Sequence, residues 1–395
     1  MSSDLLGHLD RQLRDLREAG TYKVERELEG PQDAGVPVAG REVVMLTSNN
    51  YLGLANHPRI REAARAAIDE WGFGMASVRF ICGTDSLHLE LERRIADFFE
   101  ADAAILYGSC WNANEALFAS ILEEGDAVFS DELNHASIID GIRLCKAQRH
   151  RYAHADLDAL GDLLDQDRSR HRVVVTDGVF SMEGELADVP GLLDLCRRKR
   201  ATLVVDDSHA TGVLGRRGRG TAEEQGVHGK VPITTGTLGK AMGGAAGGFI
   251  AGPRAVVDVL RQRSRPYLFS NALPPMIAAA SLAAFDLLDE QPELVARLRE
   301  NTLWFRSALR ERGFDVREGI HPVVPVIVGD TALAIRLSNE LFERGVYVSG
   351  FGFPVVPQGE ARLRCQISAA HTREELTRAV EAIAEVGATA GVIAG

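Results

Sequence analysis

Between residues 60 and 270 the chain alternates short runs rich in valine, isoleucine and alanine with segments of helical period. The runs are Ala103 to Tyr107, Ala127 to Ser130, Val173 to Asp177, Leu203 to Asp206, Pro232 to Thr235 and Gly248 to Ala251. They are apolar almost throughout, so both faces of each strand must be covered. Such strands with helices between them form a mostly parallel sheet, and an α/β domain of this kind binds ligands at the carboxyl ends of its strands. After residue 275 the texture changes to long amphipathic helices, strand candidates at Val323 to Val328 and Leu363 to Ile367, and a last helix from Thr372. The expected organisation has three parts. They are a helix and connection over 1–55, packed with the C-terminal part or a partner subunit, a large α/β domain over 56–275, and a smaller α+β domain over 276–395.

A chain of 395 residues can bury charged groups in a sizeable core. Its acids and bases are interspersed and its formal net charge is −12, which argues against nucleic acid or anionic membrane as a partner. No segment approaches the ~18 consecutive apolar residues of a membrane span. Leu5, Leu6, Leu9, Leu13 and Leu16 among charged residues give the N-terminus a helical period and no secretory signal. Cys82, Cys110, Cys145, Cys196 and Cys365 show no C-x-x-C spacing and no zinc-type cluster. Reduced thiols in a cytoplasm, with no metal site, are therefore expected.

The chemistry centres on Thr235-Gly236-Thr237-Leu238-Gly239-Lys240-Ala241-Met242-Gly243-Gly244, directly after a strand candidate. A nucleotide-phosphate loop would need glycine at Thr234 and serine or threonine at Ala241, so that reading fails. A Schiff-base lysine fits better, since desolvation strips its proton and the glycines admit a planar cofactor. Taken alone, a lysine in such a loop is ordinary. Upstream, Val204-Val205-Asp206-Asp207-Ser208-His209 is an apolar strand running into two carboxylates and a histidine. Asp206 can pair with a protonated pyridine nitrogen, and His209 can reach the phenolic oxygen on the same ring edge, with Asp207 left a structural role. The bland alternative for that segment is a loop N-cap.

Two further turns fit a cofactor site. Leu106 to Asn114 leads from a strand into a helix, where backbone amides can meet a phosphate. His135, in Asp131-Glu132-Leu133-Asn134-His135-Ala136-Ser137, follows another strand and could stack on an aromatic ring.

Together these segments resemble the α-oxoamine synthases, a branch of the fold-type I pyridoxal-phosphate enzymes. The resemblance runs from Ser48-Asn49-Asn50-Tyr51-Leu52-Gly53-Leu54 to Ser368-Ala369-Ala370-His371. It is longest at Gly72 to Thr84, Asn134 to Gly141 and Ser264 to Asn271. It implies an α/β fold of type I with a mostly parallel seven-stranded sheet and a smaller C-terminal domain, pyridoxal 5'-phosphate as cofactor, and a homodimer with shared active sites. It implies that Lys240, Asp206, His209 and His135 carry the catalysis and also hold the cofactor. Backbone amides of Cys110 and Trp111, with Ser181, Thr237 and, across the dimer, Ser270 and Asn271, would take the phosphate. Arg364 would hold a substrate carboxylate, with Asn50 and His135 beside the substrate. Trp111 departs from the phenylalanine usual in the family, which matters little if the ligand is its amide.

The branch most resembled joins glycine to acetyl-CoA, releasing CoA and 2-amino-3-ketobutyrate, and runs toward cleavage in threonine breakdown. Other branches use another amino acid or acyl-CoA, as in 8-amino-7-oxononanoate synthesis. Arg261, Arg263 and Arg265 form the one short basic cluster, open to two readings: a solvated helix end or a contact for CoA.

Overall fold

The strand-and-helix alternation builds what its apolar faces require. A computed structural model describes residues 2–393. From the N-terminus, α1 (Ser2–Glu18) precedes a hairpin of β1 (Gly35–Val38) and β2 (Arg41–Met45), then α2 (Pro58–Trp71) and α3 (Ser86–Phe99). Next come β3 (Ala103–Tyr107), α4 (Cys110–Ile121), β4 (Ala127–Asp131), α5 (Ala136–Leu144), β5 (Gln148–Tyr152), α6 (Leu157–Gln166) and β6 (Arg172–Asp177). A small hairpin of β7 (Val179–Phe180) and β8 (Glu185–Leu186) leads to α7 (Val189–Lys199), β9 (Thr202–Asp206), α8 (Thr221–Glu224), β10 (Ile233–Thr237) and β11 (Gly248–Gly252). Then follow α9 (Arg254–Arg263), α10 (Arg265–Phe269), α11 (Pro275–Glu290), α12 (Glu293–Glu311), β12 (Val323–Gly329) and α13 (Thr331–Glu343). The chain ends in β13 (Val346–Tyr347), β14 (Ser349–Phe351), β15 (Ala361–Gln366) and α14 (Arg373–Thr389).

The large sheet has seven strands in the order β3-β11-β10-β9-β6-β4-β5. Only β11 runs against its neighbours. Alternate residues of one strand feed different cores: Ala103, Ile105 and Tyr107 pack under α4, α5 and α9, whereas Ala104 and Leu106 face α3 and α11. That two-sided burial is why these runs lack a polar period. The exception is β5, Gln148-Arg149-His150-Arg151-Tyr152, which lies at the sheet edge and is mostly exposed. A charged edge strand discourages pairing with other chains and hides from a search for apolar runs.

The C-terminal part packs β12, β14 and β15 against α12, α13 and α14 around its own core. The β1–β2 hairpin joins it through β13, where Val346 pairs with Val44. Helix α11 packs on α2 and α3, bridging toward the large sheet. Among the described residues no helix is long and apolar enough to cross a membrane, and all five cysteines are free.

Candidate active site

Parallel register sets the last residues of β6, β9 and β10 abreast: Asp177 opposite Asp206, and Asp206 opposite Thr235. Asp206 is buried, with Oδ1 accepting from Ser208 N (2.9 Å) and Oδ2 from Asn114 Nδ2 (2.7 Å) and the Cys110 thiol (3.6 Å). Burial alone would raise its pKa, but hydrogen bonds from Ser208 and Asn114 and the nearby charge of Lys240 hold it below the ordinary value. The result is a buried carboxylate that stays ionised. Asp207 turns away into a cradle between Gly178 and Gly220, where a Cβ would strike its oxygens. It accepts from the Thr221 hydroxyl (2.7 Å) and amide (3.0 Å), and burial pushes it up to about 7. Its role is structural.

Lys240 follows β10 in a turn closed by Thr237, whose hydroxyl accepts from Gly239 N (3.1 Å) and donates to Gly247 O (3.2 Å). The segment around Leu52 and Ala55 lies against Gly212 and Gly244, pressing the Asn50 turn onto the lysine loop. Burial brings Lys240 down to about 8, aided by Arg364 and opposed by Asp206, Cys110 and Asp177. An amine this easily neutralised is a nucleophile near physiological pH.

Gly248 of β11 lies where a Cβ would strike the backbone of Ser109 and Cys110, so the start of α4 can seat against the sheet end. Ser109 caps α4 by accepting from Asn112 N (3.2 Å), leaving the amides of Cys110 and Trp111 without acceptors inside the helix. They are free to meet an anion. His135 caps α5: its Nδ1 accepts from Ser137 N (3.2 Å) and lies 2.8 Å from Ser137 Oγ. Its own N–H donates to Asp177 Oδ2 (2.6 Å), while Asn134 Oδ1 accepts from Asp177 N (2.7 Å). The backbone amide of His135 is thereby tied to the end of β6, Ser137 orients the ring, and burial favours the neutral imidazole by lowering its pKa. Trp111 stands edge-on to it, ring centroids 6.0 Å apart.

On β15 the period of two is explicit. Leu363 and Cys365 enter the C-terminal core, and Arg362, Arg364 and Gln366 point to the other face. Arg362 is satisfied by Glu183 (3.3 Å) and Glu360 (2.9 Å). Arg364 is 8% exposed, its Nε has no hydrogen-bond partner, it makes no ion pair among the described residues, and the Phe351 ring lies 5.8 Å from it. A buried guanidinium without a carboxylate costs several kcal/mol, roughly, unless a ligand supplies one.

Not every expected residue joins this cluster. Asn50 Oδ1 is taken by Ala55 N (3.1 Å), which leaves Nδ2 as the free donor. Ser181 is half-buried in the β7–β8 turn, and Ser270 and Asn271 are exposed; none of the three makes a side-chain hydrogen bond among the described residues. The arginine cluster does not form a joint anion patch. Arg261 turns inward to Glu92 (2.7 Å), which also binds Arg79 (2.9 Å), and Arg263 pairs with Glu123 (3.1 Å).

Several site residues were not assigned from the sequence. Asn114 carried a readable signal, one helical turn after Cys110, and so did Tyr51, beside Asn50. His321 carried none. Its Nε2 meets His209 O at 2.9 Å across a separation of 112 residues, a contact only the folded chain creates.

An ionised buried aspartate, a depressed lysine, a helix start with open amides and an unpaired arginine form one constellation. Residues 41–383 match the family Aminotransferase class I and II. The chain belongs to the aminotransferase class I and II family. Among its relatives, 2-amino-3-ketobutyrate coenzyme A ligase of Escherichia coli (strain K12) is 49% identical, with 100% of each chain covered. The 8-amino-7-oxononanoate synthase of Symbiobacterium thermophilum is 45% identical, covering 98% of this chain and 100% of that one. Among solved structures, serine palmitoyltransferase from S. paucimobilis with a bound PLP-myriocin aldimine superposes with a TM-score of 0.93 at 27% identity, covering 99% of both chains. The donor set of this class I and II chain fits such a cofactor. It offers a carboxylate for a cationic ring nitrogen, an amine for an aldehyde, and helix amides for a phosphate. Thr235 Oγ1 and Asn114 Oδ1, buried and without partners beside Asp206, mark the same place as built for a polar ligand.

Proposed function

We propose that this chain condenses glycine with acetyl-CoA on pyridoxal phosphate, giving 2-amino-3-ketobutyrate and CoA, and that it also runs the reverse cleavage. The observation that carries the reading is Arg364, a buried cation that makes no ion pair among the described residues, set within electrostatic reach of an easily neutralised Lys240. The match to 2-amino-3-ketobutyrate coenzyme A ligase along the full chain supports the choice of substrates.

When bound, pyridoxal phosphate supplies an electron sink for negative charge at the α-carbon of the amino acid. Lys240 Nζ is the nucleophile that holds the cofactor and the base that takes the α-proton. Asp206 keeps the ring nitrogen protonated, so the sink is strongest where charge develops. His135 would cover the ring face, and His209 would meet the phenolic oxygen. The amides of Cys110 and Trp111, with Ser181 and Thr237, receive the phosphate, joined by Ser270 of the partner subunit and Asn271 of the partner subunit. Arg364 grips the glycine carboxylate in a bidentate, charge-assisted pair, with Asn50 Nδ2 beside it.

Free CoA release, measured across glycine, alanine and serine with acetyl-CoA and longer acyl-CoAs, tests the reading. The highest kcat/KM is expected for glycine with acetyl-CoA; a preference for alanine with a long acyl group would assign the chain to 8-amino-7-oxononanoate-type synthesis instead. Cofactor uptake by the apoprotein adds a pH test. Because the attacking amine must be unprotonated, the uptake rate should rise about tenfold per pH unit and level off near 8. A rate flat from pH 6 upward would count against Lys240.

The reading includes a homodimer in a reducing cytoplasm, in keeping with five free cysteines. Phe73, Phe80, Ile81 and Phe269 are 78%, 62%, 70% and 75% exposed. Ala272 N donates to Ser77 O (3.0 Å), which draws their two segments together next to Ser270 and Asn271. Apolar surface of this kind marks an interface. Phe80→Asp with Ile81→Asp should give a monomer on sedimentation that loses cofactor on dialysis; a dimer with full cofactor content would remove this surface from consideration.

A further inference from the structure

His209 is held from two sides by groups that the proposed chemistry does not use. Tyr51, fully buried, places its hydroxyl 2.9 Å from His209 Nδ1, 3.0 Å from Gln366 Oε1 and 3.3 Å from Asn49 Oδ1. Gln366 is also buried, and its Nε2 bonds Thr47 O. Protons can be counted through this chain. The Thr47 carbonyl can only accept, so the Gln366 amide must turn its NH2 toward it. Gln366 Oε1 then faces Tyr51 and needs a hydrogen. The phenol has one to give, and both amide oxygens around it ask for it. What remains to Tyr51 is a lone pair, directed at His209 Nδ1.

We infer that Tyr51 and Gln366 are positioning residues that hold the proton of neutral His209 on Nδ1, so that Nε2 meets the cofactor's phenolic oxygen as joint holder of one shared proton. This rests on the proposed placement of His209 beside that oxygen. With hydrogen on Nδ1, Nε2 presents a bare lone pair. The phenolic oxygen then keeps a proton directed at Nε2, or passes it over to leave an imidazolium facing a phenolate. Either way the pair carries one proton more than a neutral Nε2–H histidine facing a phenolate.

The surroundings leave this to Tyr51. The titratable groups facing His209 are Lys240, Arg364, His321 and His135 besides Tyr51 itself; burial first, and then the positive charges of Lys240 and Arg364, favours a neutral ring. His321 does not compete for the proton. Its Nδ1 accepts from Val323 N (3.1 Å), its Nε2–H donates to the His209 carbonyl, and burial pushes it down to about 3. It fixes where the His209 backbone lies, and Tyr51 decides which ring nitrogen carries hydrogen.

The test is the pH titration of the visible absorbance of the resting holoenzyme. In Tyr51→Phe, Nδ1 loses its acceptor, the ring takes the Nε2–H form, and the shared proton leaves more easily. The titration should move down by about one pH unit or more, the scale of one lost hydrogen bond to the ring. Gln366→Leu should move it the same way but by less, because only the longer contact to Asn49 Oδ1 (3.3 Å) then holds the Tyr51 hydrogen away from His209 Nδ1. If either variant fails to fold, histidine-selective 15N spectra of the unmodified holoenzyme report the tautomer directly: Nδ1–H or doubly protonated His209 supports the inference, and neutral Nε2–H overturns it. Unshifted titrations in both variants also overturn it. His209→Asn separates the levels. If it too leaves the titration unmoved, the placement of His209 at the phenolic oxygen is wrong. If it alone shifts the titration, only the role given to Tyr51 and Gln366 falls.

Discussion

Lys240→Ala is expected to lose at least about four orders of magnitude in turnover, beyond the reach of a single displaced acid or base. Borohydride reduction of the variant should leave no cofactor joined to the chain. The two readouts separate roles. A protein that binds cofactor non-covalently, keeps its melting temperature and is inactive has lost only the amine. One that still turns over glycine and acetyl-CoA would place the nucleophile elsewhere. Stability should not suffer. The lysine is desolvated, its pKa brought down to about 8, and it makes no ion pair among the described residues, so truncation removes a buried charge with little packing in return.

Arg364→Leu should show opposite signs in two measurements. Activity should fall in kcat/KM for glycine by roughly 100- to 10,000-fold, the range for losing a bidentate charge-assisted pair. The unliganded protein should melt at the same temperature or higher, because leucine has no desolvation cost to recover at a site lined by Phe351. Arg362→Leu is the contrast. That guanidinium is fully buried and already paired with Glu183 and Glu360; its loss strands the mostly buried Glu183, while the exposed Glu360 keeps Arg317, and should destabilise the fold. If Arg364→Leu destabilised as much as Arg362→Leu, Arg364 would have a protein partner and the carboxylate role would fail.

How much of this was legible before folding depends on the kind of contact. Strands such as β3 and β9 announce themselves because both faces are buried, and the residues at their ends then fall where an α/β sheet binds ligands. Lys240 and Asp206 become candidates in that way. The edge strand β5 was missed because its polar side chains are its protection. Asp177 and Thr235 were not recognised as neighbours of Asp206, since parallel register is a property of the sheet and not of any one segment. Arg364 could be named only by resemblance; its lack of a partner, which gives it meaning, appears once Arg362 is seen to take the nearby carboxylates. His321 and Gln366 lie farther still from any local signal.

The alternation along β15 has one more consequence. Its apolar residues are rooted in the C-terminal core, while Arg364 leans toward a lysine mounted on the large sheet. On the proposed reading, an amino acid with its carboxylate on Arg364 and its nitrogen on the cofactor at the large sheet would be a removable crossbrace between β15 and that sheet. Loading it would then stiffen the enzyme and releasing product would slacken it, so that the supply of the smallest substrate would set how tightly β15 is clasped to the sheet.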